Sequence, residues 1–348
     1  MGPETENPSS KRLGLKSKNS SERPSAIKVF VLTIIQTPHK ETAQNFHYKM
    51  FQQTEDLMDR IEIMRLQEEK PCYRRPDYLR DAPKTPQMID EICRTKMCDW
   101  CYQVVDYAMF QRETVAISMN LLDRFLSSGS ARSRKTIASR KEYQLAAMTT
   151  LYMSIKLFET CSIDTKLLAT LSRGCYEEVD FTQMENDILF SLNWYLHCPT
   201  ALSFLDHFIS LVPDHDDGRT QMKAVVKTYS KYLIERSVED YELSMQKPST
   251  IALAAISNSL KKISMVPSLC DEKDCSKLID AIERCMHFSI HGSDVDNVAK
   301  KIFDLPSKTA DVSKITQPLD GTTTNDSFVA KYSNSTYNAS PVCVSKRR

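Results

Sequence analysis

Apolar residues along this chain recur at helical rather than strand spacing. Glu55 to Glu68 places Met58, Ile61, Met64 and Leu66 near one side, and Pro71 with Pro76 then ends that pattern. After the polar link Asp81-Ala82-Pro83-Lys84-Thr85-Pro86, a stripe of Met97, Trp100, Cys101, Val104 and Ala108 keeps the i, i+3, i+4, i+7, i+11 order of one buried helix face. Val115, Met119, Leu122 and Leu126 define the next helix, Leu145 to Leu157 another, and Phe181, Met184, Ile188 and Leu192 one more. Pro199-Thr200 is a start signal for a helix over Leu202 to Leu211, and Met222 to Glu235, Pro248 to Leu260 and Cys275 to Met286 continue the style. No convincing alternating strand pairs interrupt the series, so the expected fold is all-α. Leu145-Ala146-Ala147-Met148 returns as Leu253-Ala254-Ala255-Ile256, each central to an Ala-rich helix, which points to two similar helical halves.

The two ends carry no such period. Residues 1–25 are rich in Ser, Lys, Glu, Asn and Pro, and the chain from Pro306 onward is rich in Ser, Thr, Asn and Asp and closes on Lys346-Arg347-Arg348. Neither end can bury enough apolar area to offset the entropy of ordering, so both are expected to be disordered. Ala26 to Ile35 is β-branched and apolar, and is expected to form a strand-like piece docked on the body. The predicted organisation is a mostly disordered region over 1–45, an N-terminal helix and first helical domain over 46–197, a second over 198–305, and a disordered tail over 306–348. Thr37-Pro38, Thr85-Pro86 and Ser340-Pro341 are dipeptides that a proline-directed kinase could modify.

Composition narrows the chemistry. The seven glycines lie no closer than twelve residues apart, so neither a GxGxxG dinucleotide turn nor a GxxxxGK phosphate loop can be written. Lys plus Arg is 46 against 45 Asp plus Glu, a net charge of +1 that gives no global field for nucleic acid or an anionic membrane. The longest apolar-rich stretches, Ala26 to Ile35 and Leu145 to Phe158, fall short of the about 20 residues a bilayer span needs. The chain is expected to be soluble, with no membrane partner. Eleven cysteines scattered through helical patterns, without a secretory signal, favour reduced thiols in an intracellular compartment.

Two rival chemistries rest on local clusters. Arg132, Arg134, Lys135, Arg140 and Lys141 could meet nucleic acid, but the run lacks interleaved aromatics and reads more simply as a solvated loop between two helices. Cys98-Asp99-Trp100-Cys101 could be a redox pair or half a zinc site; no second CxxC exists, and Cys101 lies on the apolar stripe as a structural thiol would. The seven histidines form no HExxH pair. No metal and no cofactor are expected.

Four ionisable residues sit on apolar stripes instead of solvated faces. Arg94 lies three residues before Met97, Asp123 four after Met119, Lys156 directly after the apolar helix ending at Ile155, and Glu185 between Phe181 and Ile188. A core can hold such charges only as pairs, since an isolated buried charge costs several kcal/mol. The plainer reading, that each marks a stripe's edge and snorkels to water, holds for any one of them; four together weigh against it.

These residues resemble a known family. Cys93-Arg94-Thr95-Lys96-Met97-Cys98-Asp99-Trp100 resembles the cyclin-box opening MRxxLxDW, and Glu113-Thr114 through Asn120-Leu121-Leu122-Asp123-Arg124-Phe125-Leu126-Ser127 is similar to ET…NYLDRFLS. Ile155-Lys156-Leu157-Phe158-Glu159 resembles the SKFEE helix, and Tyr176, Phe181, Met184-Glu185, Ile188-Leu189, Leu192, Leu196 and Pro199-Thr200 resemble the end of the box and the start of a second one. The resemblance is close over about 94–209 and looser to about 290. It implies two tandem five-helix cyclin-fold domains preceded by an N-terminal helix, and a regulatory subunit without catalysis of its own that binds and activates a cyclin-dependent serine/threonine kinase in cell-cycle control, in the nucleus, the cytoplasm or both. The alternative is a cyclin-fold adaptor associated with transcription or nucleic acid. By the same resemblance Arg94 and Asp123 form a structural ion pair; Lys156, Glu185, Met153, Leu157, Leu189 and Leu196 face the kinase; and Cys93, Met97, Trp100, Gln103 and Gln144 occupy a docking groove for RxL peptides, degenerate here because Lys96 and Gln103 replace the expected apolar and acidic residues.

Overall fold

The computed structural model describes residues 38–80, 85–212, 217–264, 272–286 and 292–305. The disordered ends expected at 1–25 and 306–348, and the strand-like piece expected at 26–35, lie outside the described residues. The chain divides into two units, 1–53 and 54–348; in the first, residues 38–53 are helical, and both helical lobes lie in the second.

Every α-helix in the described residues can be placed in chain order. Helix α1 is Pro38–Glu69, followed by a short 3₁₀ turn at Pro71–Tyr73. The first lobe holds α2 (Glu91–Ala108), α3 (Glu113–Ser127), α4 (Ala131–Ala138), α5 (Arg140–Phe158), α6 (Thr165–Leu171) and α7 (Glu178–Ser191). The second holds α8 (Ala201–Ser210), α9 (Asp217–Glu239), α10 (Tyr241–Ser244), α11 (Pro248–Ile263), α12 (Glu272–Met286) and α13 (Ser293–Asp304). Apart from the short α4 and α10, each lobe is the expected five-helix bundle, and the described residues contain no strand.

The two Ala-rich segments lie on α5 and α11, packed in their respective cores. Ala146 and Ala147 on α5, and Ala252, Ala254 and Ala255 on α11, are buried, and their small side chains allow neighbouring helices to approach closely. Around α5 the first core gathers Met97, Trp100, Phe125, Leu151, Phe181 and Ile188, while Phe204, Phe208, Val226, Leu278 and Ile302 build the second. Helix starts follow ordinary capping chemistry. Asp90 accepts the Cys93 N–H at 2.8 Å to open α2, and Thr200 and Ser203 exchange caps at the start of α8, where the Pro-Thr signal is read.

Three features differ from the expected pattern. Helix α1 begins at Pro38 rather than Glu55, and although it precedes the first bundle, Ile61 is buried in the second core with Leu57, Met58 and Met64 packed beside it. Leu66, expected on that stripe, is exposed. The basic run is not a solvated loop: most of it forms α4, capped by the Ser130 hydroxyl, and the remainder opens α5. Finally, eight cysteines among the described residues are free thiols, as expected, but Cys275 is disulfide-bonded.

Candidate functional site

Arg94 and Asp123 meet inside the molecule. The α2 stripe carries Arg94 inward because it shares a face with Met97, and α3 does the same for Asp123, leaving the two side chains 2% and 1% exposed. The guanidinium binds the carboxylate through two parallel bonds, Nε to Oδ1 at 3.0 Å and Nη2 to Oδ2 at 2.9 Å, and Tyr78 donates its hydroxyl to the same Oδ1 at 3.0 Å. Burial alone would pull Arg94 down, but the charge and hydrogen bonds of Asp123 hold its pKa well above the ordinary value. The pair does more than join α2 to α3. The remaining nitrogen, Nη1, donates to the carbonyl of Val238 at 2.7 Å at the end of α9, so one arginine ties the first lobe's internal pair to the second lobe. Tyr102, donating to the Glu235 carbonyl, and Arg112, paired with Glu235 at 2.8 Å, extend this junction along α9.

Lys156 and Glu185 meet at the surface. Lys156 ends the buried run of α5, where the helix emerges from the core, and Glu185 lies one turn before Leu189 on α7. Their Nζ and Oε1 are 3.1 Å apart, with side-chain exposures of 50% and 17%. The hydrogen bond to Glu185 raises the Lys156 pKa above its ordinary value, so the ammonium stays charged at neutral pH. Tyr152 lies one helical turn back, its ring 5.5 Å from the ammonium.

The apolar residues assigned beside this pair divide. Leu157 is exposed, and Leu196 is partly buried against the first core. Met153 and Leu189, expected as contact positions, are buried in the first core of the free chain: three residues before Lys156, Met153 turns inward with Ile155, and Leu189 follows Ile188 into the bundle. Exposed apolar area comes instead from residues the sequence did not single out. Phe190 and Trp194 are 70% and 62% exposed and stack edge to face, with ring centroids 6.4 Å apart, and Tyr195 is exposed beside them. Asn193 and Trp194 both adopt left-handed backbone conformations, at φ 50° and 63°, which for a tryptophan carries strain of about 1 to 3 kcal/mol. That turn swings the indole out of the bundle.

The degenerate docking groove is not an open surface. Cys93, Met97, Trp100 and Gln144 are buried, and Gln103 alone of the five is exposed. Cys98 and Cys101 are wholly buried; burial pushes the Cys101 thiol up to about 12 and that of Cys98 well above its ordinary value, which holds both as neutral core thiols. Each residue of the basic run is engaged. Arg132 pairs with Glu142 and Asp187, Lys135 with Glu142, and Arg140 with Asp90, while Arg134 donates to the Gly129 carbonyl and Lys141 lies over the Tyr176 ring. Among the described residues no group of three or more His, Cys, Asp or Glu could hold a metal, and no helix is long and apolar enough to cross a membrane.

The chain is similar to the G2/mitotic-specific cyclin-2 of Antirrhinum majus, at 29% identity over 259 residues, which is 70% of this chain and 53% of that relative. Similarity to Cyclin-B1-1 of Arabidopsis thaliana is 31% over 197 residues, 56% of this chain and 41% of the relative. The chain thus spans about half, or less, of the length of these curated relatives. A viral cyclin from herpesvirus saimiri aligns at a TM-score of 0.45 and 15% identity, covering 63% of this chain and 86% of the viral one. Residues 59–197 match the cyclin N-terminal domain and 199–340 the cyclin C-terminal domain, the two matches meeting between the lobes next to Cys198. With one match for each bundle, the chain belongs to the cyclin family.

Proposed function

We propose that this protein is a regulatory subunit, without catalytic activity of its own, that binds and activates a cyclin-dependent serine/threonine kinase through the ends of α5 and α7. The observation that carries the reading is the surface pair Lys156–Glu185, a donor and an acceptor on two neighbouring helices of a rigid bundle, with Leu157 exposed beside Lys156. Their 3.1 Å bond is exposed enough to open when better-oriented partners arrive, because an exposed ion pair is worth only about 0 to 1 kcal/mol to the free protein. Opposed backbone groups of a kinase could then satisfy both charges. Phe190 and Trp194, on the last turn of α7 and just after it, supply the apolar area that such an interface needs at its core. A rigid surface of this kind can hold a kinase's αC helix inward and complete its Lys–Glu pair.

Similarity to a G2/mitotic-specific cyclin supports a role in cell division, a role we propose for the nucleus, the cytoplasm or both. The ion pairs of α4 and the start of α5 weaken the nucleic-acid alternative, since arginines already matched to Glu142, Asp187 and Asp90 have little charge left to offer phosphates. Affinity purification of the full-length protein followed by mass spectrometry tests the reading. A cyclin-dependent kinase is the expected partner, and a nucleic-acid assembly with no kinase would contradict it.

A further inference from the structure

A separate cleft opens where the end of α1, the linker 73–76, the segment Cys198-Pro199 and the residues before α11 come together. Its volume is about 420 Å³. Its charged residues do not cancel. Glu69 is paired with Lys247, and the buried Glu68 is turned onto Ser249, whose N–H and hydroxyl both donate to it. Beside these two carboxylates and Lys247 stand two adjacent guanidiniums, so the lining holds three positive charges against two negative. Arg74 is exposed, and its side chain makes no hydrogen bond or ion pair among the described residues, acting on Glu69 only at a distance. Arg75 makes one hydrogen bond there, from Nη2 to the Gln246 carbonyl at 2.6 Å.

The surroundings add positive charge. Arg124 is buried, its Nε and Nη2 donating to the carbonyls of Cys72 and Tyr195, and its Nη1 is buried without a hydrogen-bond partner. Its guanidinium lies over the ring of Tyr73, which lines the cleft. The carboxylate that acts on Arg75, Asp123, is already held by two bonds from Arg94. Burial, and then the charges of Arg94 and Arg124, pull the Arg75 pKa below its ordinary value against the opposing effect of Asp123. Arg94 and Arg75 thus share the one Asp123 carboxylate, Arg124 donates to carbonyls rather than to a carboxylate, and an anion entering the cleft would relieve the imbalance.

We propose that this cleft binds a phosphorylated serine or threonine side chain of a peptide, with the phosphoryl oxygens on Arg74 and Arg75 and the flanking peptide against Tyr73, Pro76, Met245 and Pro248. A phosphomonoester carries up to two negative charges and three acceptor oxygens, which suits two adjacent planar guanidiniums better than a single carboxylate does. The apolar walls and the volume exceed what a lone ion uses and fit a peptide segment. The site involves neither Lys156 nor Glu185, so it stands or falls independently of the kinase reading.

Fluorescence anisotropy on the full-length protein tests the proposal, using a labelled peptide with a central phosphothreonine-proline, its unphosphorylated twin, and inorganic phosphate as competitor. The phosphopeptide is expected to bind roughly tenfold or more tightly than its twin, and the Arg74→Gln, Arg75→Gln double variant to lose that difference. Arg74→Gln alone, an exposed change that leaves the fold intact, should lose part of it, and inorganic phosphate should compete only at far higher concentration. Equal binding of the two peptides, a preference undiminished in both variants, or inorganic phosphate competing as tightly as the phosphopeptide would overturn it.

Discussion

Glu68, in the last turn of α1, caps a helix of the second lobe: its carboxylate accepts the backbone N–H of Ser249 at 3.1 Å and the Ser249 hydroxyl as well, 181 residues along the chain. Helix α11 needs this because its own N-cap residue, Lys247, offers no side-chain acceptor, while Pro248 merely removes one unsatisfied donor. Beside it, Glu69 pairs with Lys247. Together with buried Ile61, these contacts fasten the end of α1 to the second lobe rather than to the bundle that comes next in sequence.

Glu68 should make stability depend on pH in a definite direction. Burial raises its carboxyl pKa above the ordinary 4.5, although the hydrogen bonds from Ser249 oppose this. The folded state then holds the proton to higher pH than the unfolded chain, so the contribution of this group is fullest below pH 4.5 and declines as pH rises through the folded value. Glu68→Gln should flatten that part of the profile of unfolding free energy against pH in urea titrations, whereas Glu68→Ala should cost about 1 to 2 kcal/mol through loss of the cap.

Removing Arg94 should damage folding. Arg94→Ala leaves Asp123 buried with Tyr78 as its remaining donor among the bonds described, and should lower unfolding free energy by about 3 to 5 kcal/mol. Because Arg94 also donates to Val238, amide hydrogen exchange near the end of α9 should quicken in a more conservative Arg94→Lys variant that remains folded. Unchanged stability in the alanine variant would remove the pair from its structural role.

Thiol labelling should sort the cysteines by burial. Brief treatment of the native protein with iodoacetamide should modify exposed Cys175 and leave Cys98 and Cys101 untouched until the protein is unfolded. Rapid modification of Cys98 or Cys101, read by peptide mass spectrometry, would show that the α2 stripe is not the closed core described.

Docking of RxL peptides on α2 should be weak. Met97 and Trp100 are packed in the core, and Lys96, exposed beside them, repels a peptide arginine. Anisotropy titrations with such a peptide should show no saturation at about micromolar concentration. Micromolar binding that strengthens in a Lys96→Glu variant would show that the face opens after all.

The parts legible in the sequence were those where charge and hydrophobic period conflict. Arg94 and Asp123 stand out because each occupies a core position of a strongly periodic helix, and only pairing reconciles the two. Lys156 carries the same signal at the end of its stripe, and Glu185 within its own. Less could be read where the period is silent. The sequence Ala131–Ala138 has Ile137 as its one large apolar side chain and so no stripe, and its helix rests on the Ser130 cap, the packing of Ile137 and the ion pairs of Arg132 and Lys135, which only the fold brings together. Phe190 and Trp194 mislead in the opposite way, because aromatic residues suggest core, whereas Phe190 sits on the outer face of α7 and Trp194 in the left-handed turn that follows it. Helix α13 does carry a usable stripe in Val295, Val298, Ala299 and Ile302, but it is only 12 residues long and merges at its end into the polar tail.

The most direct test of the proposed kinase-binding surface is the affinity of the purified full-length protein for a cyclin-dependent kinase, measured by calorimetry for wild type and for the Lys156→Ala, Glu185→Ala double variant. The pair is surface-exposed, so the variant should keep its thermal stability to within about 1 kcal/mol. Its affinity should fall by about 30-fold or more, the equivalent of roughly 2 to 5 kcal/mol for a desolvated charge pair at an interface, with kinase activation lost in step. A folded double variant that binds and activates the kinase as well as wild type would contradict the account.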